Sequence, residues 1–221
     1  MDRSSAARWA LAASLVGGAT YLVADHLPLS QAASLAWKGS GVGLLAIYAA
    51  LWARSRDGWL ISAVMAFGAL GDVLLGAAGF VVGGAAFLIG HLIAIWLYWR
   101  NRRPTVDQRA WLAAAALVVA TVATAFLLPA DRAGALGVAV YALGLSAMAA
   151  SAALSRFPRR VAAGALMFLV SDLLIFARAG PLAGQPGLGF AIWSLYYAGE
   201  ALICTGVVGD LRRRPKLEGR T

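Results

Sequence analysis

Apolar stretches long enough to cross a bilayer recur from end to end, at about 9–25, 33–53, 59–77, 80–99, 110–128, 134–154, 161–177 and 188–208. A spanning helix needs about 20 mostly apolar residues, so the pattern predicts about eight transmembrane helices. The connections are short and carry breakers or charge: Pro28, Arg54 to Gly58, Arg100 to Pro104, Pro129, Arg156 to Arg160 and Pro181 to Gly187. None is long enough to part soluble domains. The expected organisation is therefore a single integral membrane domain over residues 1–221, an all-α polytopic helix bundle. The first run follows Arg3 and Arg8 as a secretory signal would. It is longer than a signal core, and Asp25-His26-Leu27-Pro28 is a poor cleavage site, so it reads as a retained first helix.

Composition agrees with that pattern. The chain is 61% hydrophobic and 13% charged, against about 25% charged in soluble domains. Its mean hydropathy is +0.75. The net charge of +9 sits in short loops, which argues against a nucleic-acid face and for membrane orientation. Arg3, Arg8, Arg54, Arg56, Arg100, Arg102, Arg103, Arg109, Arg156, Arg159, Arg160, Arg212, Arg213, Arg214, Lys216 and Arg220 all fall on one side of the alternating loops. The other side has only Arg132 and Arg178 as loop charges. The positive-inside rule then places both termini in the cytoplasm, in a cell (inner) membrane. The single cysteine, Cys204, excludes an intramolecular disulfide and a cysteine metal site.

The chain also reads as a 4+4 parallel internal repeat, with halves of about 1–104 and 105–221. Arg8-Trp9 opens the first helix and Arg109-Ala110-Trp111 the fifth; the runs end at Pro28 and Pro129. Gly71-Asp72-Val73-Leu74-Leu75 matches Ser171-Asp172-Leu173-Leu174-Ile175, and Phe87-Leu88-Ile89-Gly90-His91 matches Tyr196-Tyr197-Ala198-Gly199-Glu200. The fourth and eighth helices are both expected to end in an arginine cluster followed by Pro104 or Pro215.

Against this apolar background, five ionisable residues stand inside the runs: Lys38, Asp72, His91, Asp172 and Glu200. Each such group costs about 2.5–3.5 kcal/mol at mid-bilayer on the insertion scale, so a shared polar site is the default reading. Asp72 falls about 13 residues into its run, roughly 20 Å across. Asp172 falls at matching depth, while His91 and Glu200 lie near mid-helix. All five could meet in one cavity displaced toward the outer leaflet. Plainer roles also exist. Asp72 lies between Gly68 and Gly76, a face for close helix contact. His91 could pack as a neutral ring, Tyr196 or Tyr197 could satisfy Glu200, and Lys38 could snorkel to the interface. Trp9, Trp52, Trp59, Trp96, Trp99 and Trp111 sit near the cytoplasmic ends as interfacial anchors.

With two histidines, one of them His26 in a loop, a catalytic zinc site is a poor fit. There is no P-loop, dinucleotide glycine fingerprint or nucleophile elbow. Carboxylates and one imidazole in a low-dielectric cavity suit general acid–base chemistry, and equally proton-coupled or lipid transport. A non-catalytic scaffold would use the polar groups only as helix–helix glue.

At these residues the sequence resembles the YhhN-like lysoplasmalogenase family of multi-pass membrane proteins. The matching segments are Leu70-Gly71-Asp72-Val73-Leu74-Leu75, Gly84 to Leu92, Gly164 to Asp172 and Tyr196 to Ile203, in the family's order and spacing. The chain departs from the family pattern at Gly39 after Lys38, at Ala94 three residues after His91, and at the acidic Glu200. The resemblance implies hydrolysis of the vinyl ether of a lysoplasmalogen or related ether lysolipid, giving a fatty aldehyde and a glycerophospho-alcohol. Such a bond breaks when an acid protonates its β-carbon and water attacks the oxocarbenium ion; one carboxylic acid and one carboxylate are the minimum kit. Asp72 and Asp172 are the expected catalytic pair, unassigned between the two roles. Lys38, His91, Ser171, Tyr196, Tyr197 and Glu200 are expected to support them or bind substrate, with Lys38 or a loop arginine at the phosphate. No metal or cofactor is implied. The expected partners are the lysophospholipid within the bilayer and the surrounding membrane lipids.

Overall fold

The computed structural model describes residues 2–218, apart from the side chains of Asp25, His26 and residues 215–218. Arg220, counted among the loop charges, lies outside the described residues, as do the side chains of Lys216 and His26. The described residues form eight helices: α1 (Arg3–Thr20), α2 (Gln31–Trp52), α3 (Arg56–Ala77), α4 (Gly79–Arg100), α5 (Gln108–Leu127), α6 (Ala135–Leu154), α7 (Arg159–Arg178) and α8 (Leu188–Glu218). All eight are long and apolar enough to span a membrane, as the hydropathy pattern predicted.

Three helix ends differ from the pattern. α1 starts ahead of its apolar run because Asp2 caps it, accepting from the Ser5 amide at 2.6 Å. That amide holds the Asp2 carboxyl below the usual carboxylate range. α1 then tightens into a 3-10 turn over Tyr21–His26 rather than running on as α-helix. α8 does not stop at its arginine cluster but continues through Pro215 to Glu218. Asp210 and Arg214 pair one turn apart across that stretch, at 2.6 Å. α4 does end at Arg100, before Pro104.

Six helices close a ring in the order α2, α3, α4, α6, α7, α8, with α8 returning to α2 and also touching α3. α1 packs outside α2, and α5 packs mainly outside α6. Exchanging the first four helices for the last four turns α1–α2, α2–α3, α3–α4 and α2–α8 into α5–α6, α6–α7, α7–α8 and α4–α6, all of which exist. The 4+4 repeat itself stays a reading of the sequence.

Lipid tails are as apolar as leucine, so packing rather than water expulsion holds such a ring together. One close backbone approach lies between α7 and α8, where a Cβ on Gly164 would stand 2.5 Å from the Gly199 carbonyl oxygen. Only glycine lets these two backbones touch. α5, by contrast, buries only Thr121 and Ala125 and leaves Val119 and Leu127 exposed to lipid.

The start of α1, the α2–α3, α4–α5 and α6–α7 turns and the later part of α8 gather at one end. There Asn101, 1% exposed, donates to Asp57 Oδ2 at 2.8 Å and accepts from Arg156 at 3.2 Å and Arg214 at 2.7 Å. Arg3 donates to the Ala50 carbonyl at the end of α2. The described arginines placed on one side by the loop count therefore meet at one end of the bundle, and several also tie its turns together. Trp9, Trp59, Trp96 and Trp99 are exposed there, as interfacial anchors should be.

Candidate active site

Each site helix carries its polar residue on the face turned into the ring. On α3, the exposed side chains at Trp59 and Leu70 face outward, while Ile61, Met65, Gly68 and Asp72 are buried. Asp72 is 2% exposed and Asp172 6%. At those depths each carboxyl must find its partners within the protein.

Asp72 finds two. Lys38 Nζ of α2 stands 3.5 Å from Oδ1, and Tyr196 of α8 donates its hydroxyl to Oδ2 at 2.8 Å. The Lys38 ammonium also lies 5.9 Å from the centre of the Trp193 ring. Lys38 is thus in the site, not spread along the interface. Its side chain keeps 18% exposure, the most open point of this pair.

Asp172 has a different setting. Tyr141 of α6 donates to its Oδ2 at 2.7 Å, and the same hydroxyl lies 3.2 Å from His91 Nε2 of α4. The site therefore has two arms, Lys38–Asp72–Tyr196 and His91–Tyr141–Asp172. Phe168 stands between them, its ring centre 5.1 Å from both His91 and Tyr196, with Phe87 at 6.0 Å. These aromatic edges and faces fill the space between the arms with apolar surface.

Glu200 completes the group. It is 3% exposed, and its Oε2 has no hydrogen-bond partner among the described residues. Gly68 makes room for it, since a Cβ there would stand 3.0 Å from Oε1. Ser171, fully buried beside Asp172, likewise has an unpartnered Oγ. An unpaired buried polar atom costs about 1–3 kcal/mol, so groups retained in this state call for a role.

Six of the expected residues come together: Lys38, Asp72, His91, Asp172, Tyr196 and Glu200. Ser171 adjoins them. Tyr197 does not join them. Its hydroxyl lies 2.8 Å from Ser14 Oγ, which itself donates to the Gly41 carbonyl, and its ring stacks on Trp193. It fastens α8 to α1 and α2, because one residue's step on a helix turns the side chain by about 100° away from Tyr196. Neither tyrosine hydrogen-bonds Glu200, so the plainer role open to them there is not the one they take.

Tyr141 is the functional candidate that sequence reasoning missed. An aromatic residue in an apolar run does not stand out as an ionisable one does. Its signal was register: Tyr141 precedes Asp172 by 31 residues, much as Lys38 precedes Asp72 by 34. Trp193 was missed too, and its indole donates to the Gly18 carbonyl at 2.7 Å.

Fold and site together define a polytopic membrane protein with a buried carboxylate centre, one aspartate ion-paired and the other held by a phenol. The chain belongs to the YhhN family, whose sequence profile matches residues 33–207 and so includes every residue of both arms. Two curated relatives, the lysoplasmalogenases of Mycobacterium bovis and Mycobacterium tuberculosis, are each 35% identical to it over 184 residues. That alignment covers 77% of this chain and 69% of each relative. No solved structure matches it.

Proposed function

We propose that this chain is a membrane-embedded hydrolase that cleaves the vinyl ether bond of a lysoplasmalogen, or of a closely related ether lysolipid. The observation that carries the reading is the unequal pair of buried aspartates, in a chain whose relatives are named lysoplasmalogenases. The products are a fatty aldehyde and a glycerophospho-alcohol.

The unequal partners divide the roles. Asp172 is the acid: Tyr141 occupies Oδ2, leaving Oδ1 to carry the proton. That proton passes to the β-carbon of the vinyl ether, and the double bond's electrons leave an oxocarbenium ion. Asp72, beside the Lys38 ammonium, is the carboxylate; it faces the developing cation and takes a proton from the attacking water. The hemiacetal then expels the glycerol oxygen with the proton held by Asp72, and its own hydroxyl proton returns to Asp172. One water is consumed and both aspartates regain their starting states. Glu200 and Ser171, with their unpartnered oxygens, orient the water.

Distance selects the phosphate contact. Asp72 lies 16 residues along α3 from Arg56, which is roughly 24 Å at 1.5 Å per residue. The phosphorus of the substrate is five bonds from the ether oxygen, at most about 7 Å. A loop arginine at the basic end therefore does not reach it, whereas Lys38, paired with Asp72, does; Arg178, six residues beyond Asp172 on α7, is the other cation toward that end. With the termini in the cytoplasm, the site would lie toward the outer leaflet, and the lipid tail would enter sideways from that leaflet. The six helices carrying the site run unbroken past it, unlike the interrupted helices of many transporters.

The test is aldehyde release from an ethanolamine or choline lysoplasmalogen by the purified protein in detergent. Release by the wild type and its loss in a folded Asp72→Asn variant supports the reading. A folded wild type that releases none overturns it.

A further inference from the structure

A cleft of about 640 Å³ opens at the arginine-rich end, between the end of α2, the start of α3 and the later part of α8. Its size falls within the roughly 300–1,000 Å³ of small-molecule sites. Trp52, Arg54, Ser55, Gly58, Arg212 and Arg213 line it. Gly58 is some 14 residues from Asp72 along α3, or about 21 Å, so the cleft is separate from the carboxylate centre.

Its chemistry is one-sided. Arg54, Arg212 and Arg213 are exposed, and none is paired with a carboxylate among the described residues. The nearby acids are already engaged, Asp57 with Arg100 and Asn101, and Asp210 with Arg214. Arg212 is held in place by stacking over the Trp52 ring, 3.4 Å from its centre. Arg160, at the same rim, lies against Gly209, another residue of the cleft wall. The cleft also takes in Gly58 in the first turn of α3, where the dipole favours an anion and Asp57 already sits. Ser55 caps the Gly58 amide there at 3.3 Å.

The basic residues of this end need only be present to set orientation; they need not converge on one concavity. Here three guanidinium groups with no carboxylate partner among the described residues, one of them fixed on an indole, converge on a cleft that also includes a helix start. We infer that this cleft binds the phosphate group of an anionic phospholipid headgroup. Guanidinium matches phosphate oxygens in forked pairs, and Trp52 and Trp59 set the cleft at headgroup depth. Free phosphate shares this chemistry. A headgroup differs in being concentrated at the surface by its tails.

The test uses the full chain released from mixed micelles of phosphatidylglycerol and phosphatidylcholine, with retained lipid counted by native mass spectrometry. Wild type is expected to retain phosphatidylglycerol in preference. In an Arg212→Gln/Arg213→Gln variant that preference falls about tenfold, the scale of one lost charge-assisted pair. Arg159→Gln, an exposed arginine outside the cleft, keeps it. Arg54→Gln/Arg213→Gln, which leaves the Arg212–Trp52 stack alone, repeats the loss if the first variant misfolds. Equal retention by the cleft variants and wild type overturns the inference. Displacement of the lipid by millimolar inorganic phosphate reassigns the site to free phosphate and overturns the lipid assignment; resistance to it supports the headgroup. Aldehyde release is read in parallel and is expected to be unchanged, so failure here is distinct from failure of the proposed reaction.

Discussion

Tyr141 donates its hydroxyl to Asp172 Oδ2 across 2.7 Å, joining α6 to α7 at the buried centre. The same oxygen lies 3.2 Å from His91 Nε2, so one phenol connects an acid and an imidazole from three helices. Asp72 likewise accepts from a phenol, that of Tyr196 at 2.8 Å, but its other oxygen faces the Lys38 ammonium and no imidazole joins it. That inequality is what separates the two carboxyls chemically.

Tyr141→Phe removes the hydroxyl and leaves the ring packed against Phe176. We expect kcat for aldehyde release to fall about tenfold to a hundredfold with little change in KM, since one positioned hydrogen bond is lost while the substrate contacts stay. A variant with wild-type kcat would remove Tyr141 from the mechanism.

Asp172→Asn should reduce turnover by about a hundredfold or more, the usual contribution of a positioned acid. Asp72→Asn should do the same. Size-exclusion profiles and unfolding midpoints of both variants check that the helices still pack. Full activity in either folded variant would return that aspartate to a purely structural role.

Lys38→Met leaves Asp72 with a phenol alone. Removing one member of a buried charge pair strands the other, though the partial exposure of Lys38 moderates the loss. Both a lower unfolding midpoint and a raised KM are expected, the second from the lost phosphate contact. Lys38→Arg should recover part of the KM. An unchanged KM in Lys38→Met would place the phosphate elsewhere.

Gly164→Val drives a branched side chain into the Gly199 carbonyl. Overpacking of this kind costs about 1–3 kcal/mol, and more where backbone rather than a flexible side chain must move. The thermal unfolding midpoint in detergent should drop, and activity with it, because Phe168 and Asp172 ride on the same helix. Gly137→Ala, with open space around its Cβ, should leave both unchanged.

Substrate supplied to one leaflet only would read the sidedness of the centre. In oriented proteoliposomes, lysoplasmalogen added from the side opposite the arginine-rich end should be cleaved without delay. Lipid added from the other side should show a lag set by its transfer across the bilayer. Equal initial rates from both sides would contradict lateral access from one leaflet.

The eight spans were legible in the sequence because a bilayer demands about 20 apolar residues per crossing. The exceptions were local. Asp2 started α1 early by capping it, and α8 carried on through its arginines because Asp210 and Arg214 support that turn. Lys38, Asp72, His91, Asp172 and Glu200 were legible for the same reason as the spans: charge in hydrocarbon is expensive and therefore conspicuous. Tyr141 was not, because a phenol sits easily in an apolar run and reveals its purpose only through its partner.

Partnership was left to the tertiary structure. Hydropathy and spacing determined how many helices there are, which residues lie deep and which loops are basic. They could not say that Tyr196 turns to Asp72 while Tyr197 turns to Ser14. That outcome depends on the rotation of α8 against α3 on one side and α1 on the other. Nor could they pair Lys38 with one aspartate and Tyr141 with the other, or gather Arg54, Arg212 and Arg213 around one cleft. Helices distant in sequence meet only when the ring closes, and the closeness of that contact is set by small residues such as Gly68 of α3, which makes room for Glu200 of α8.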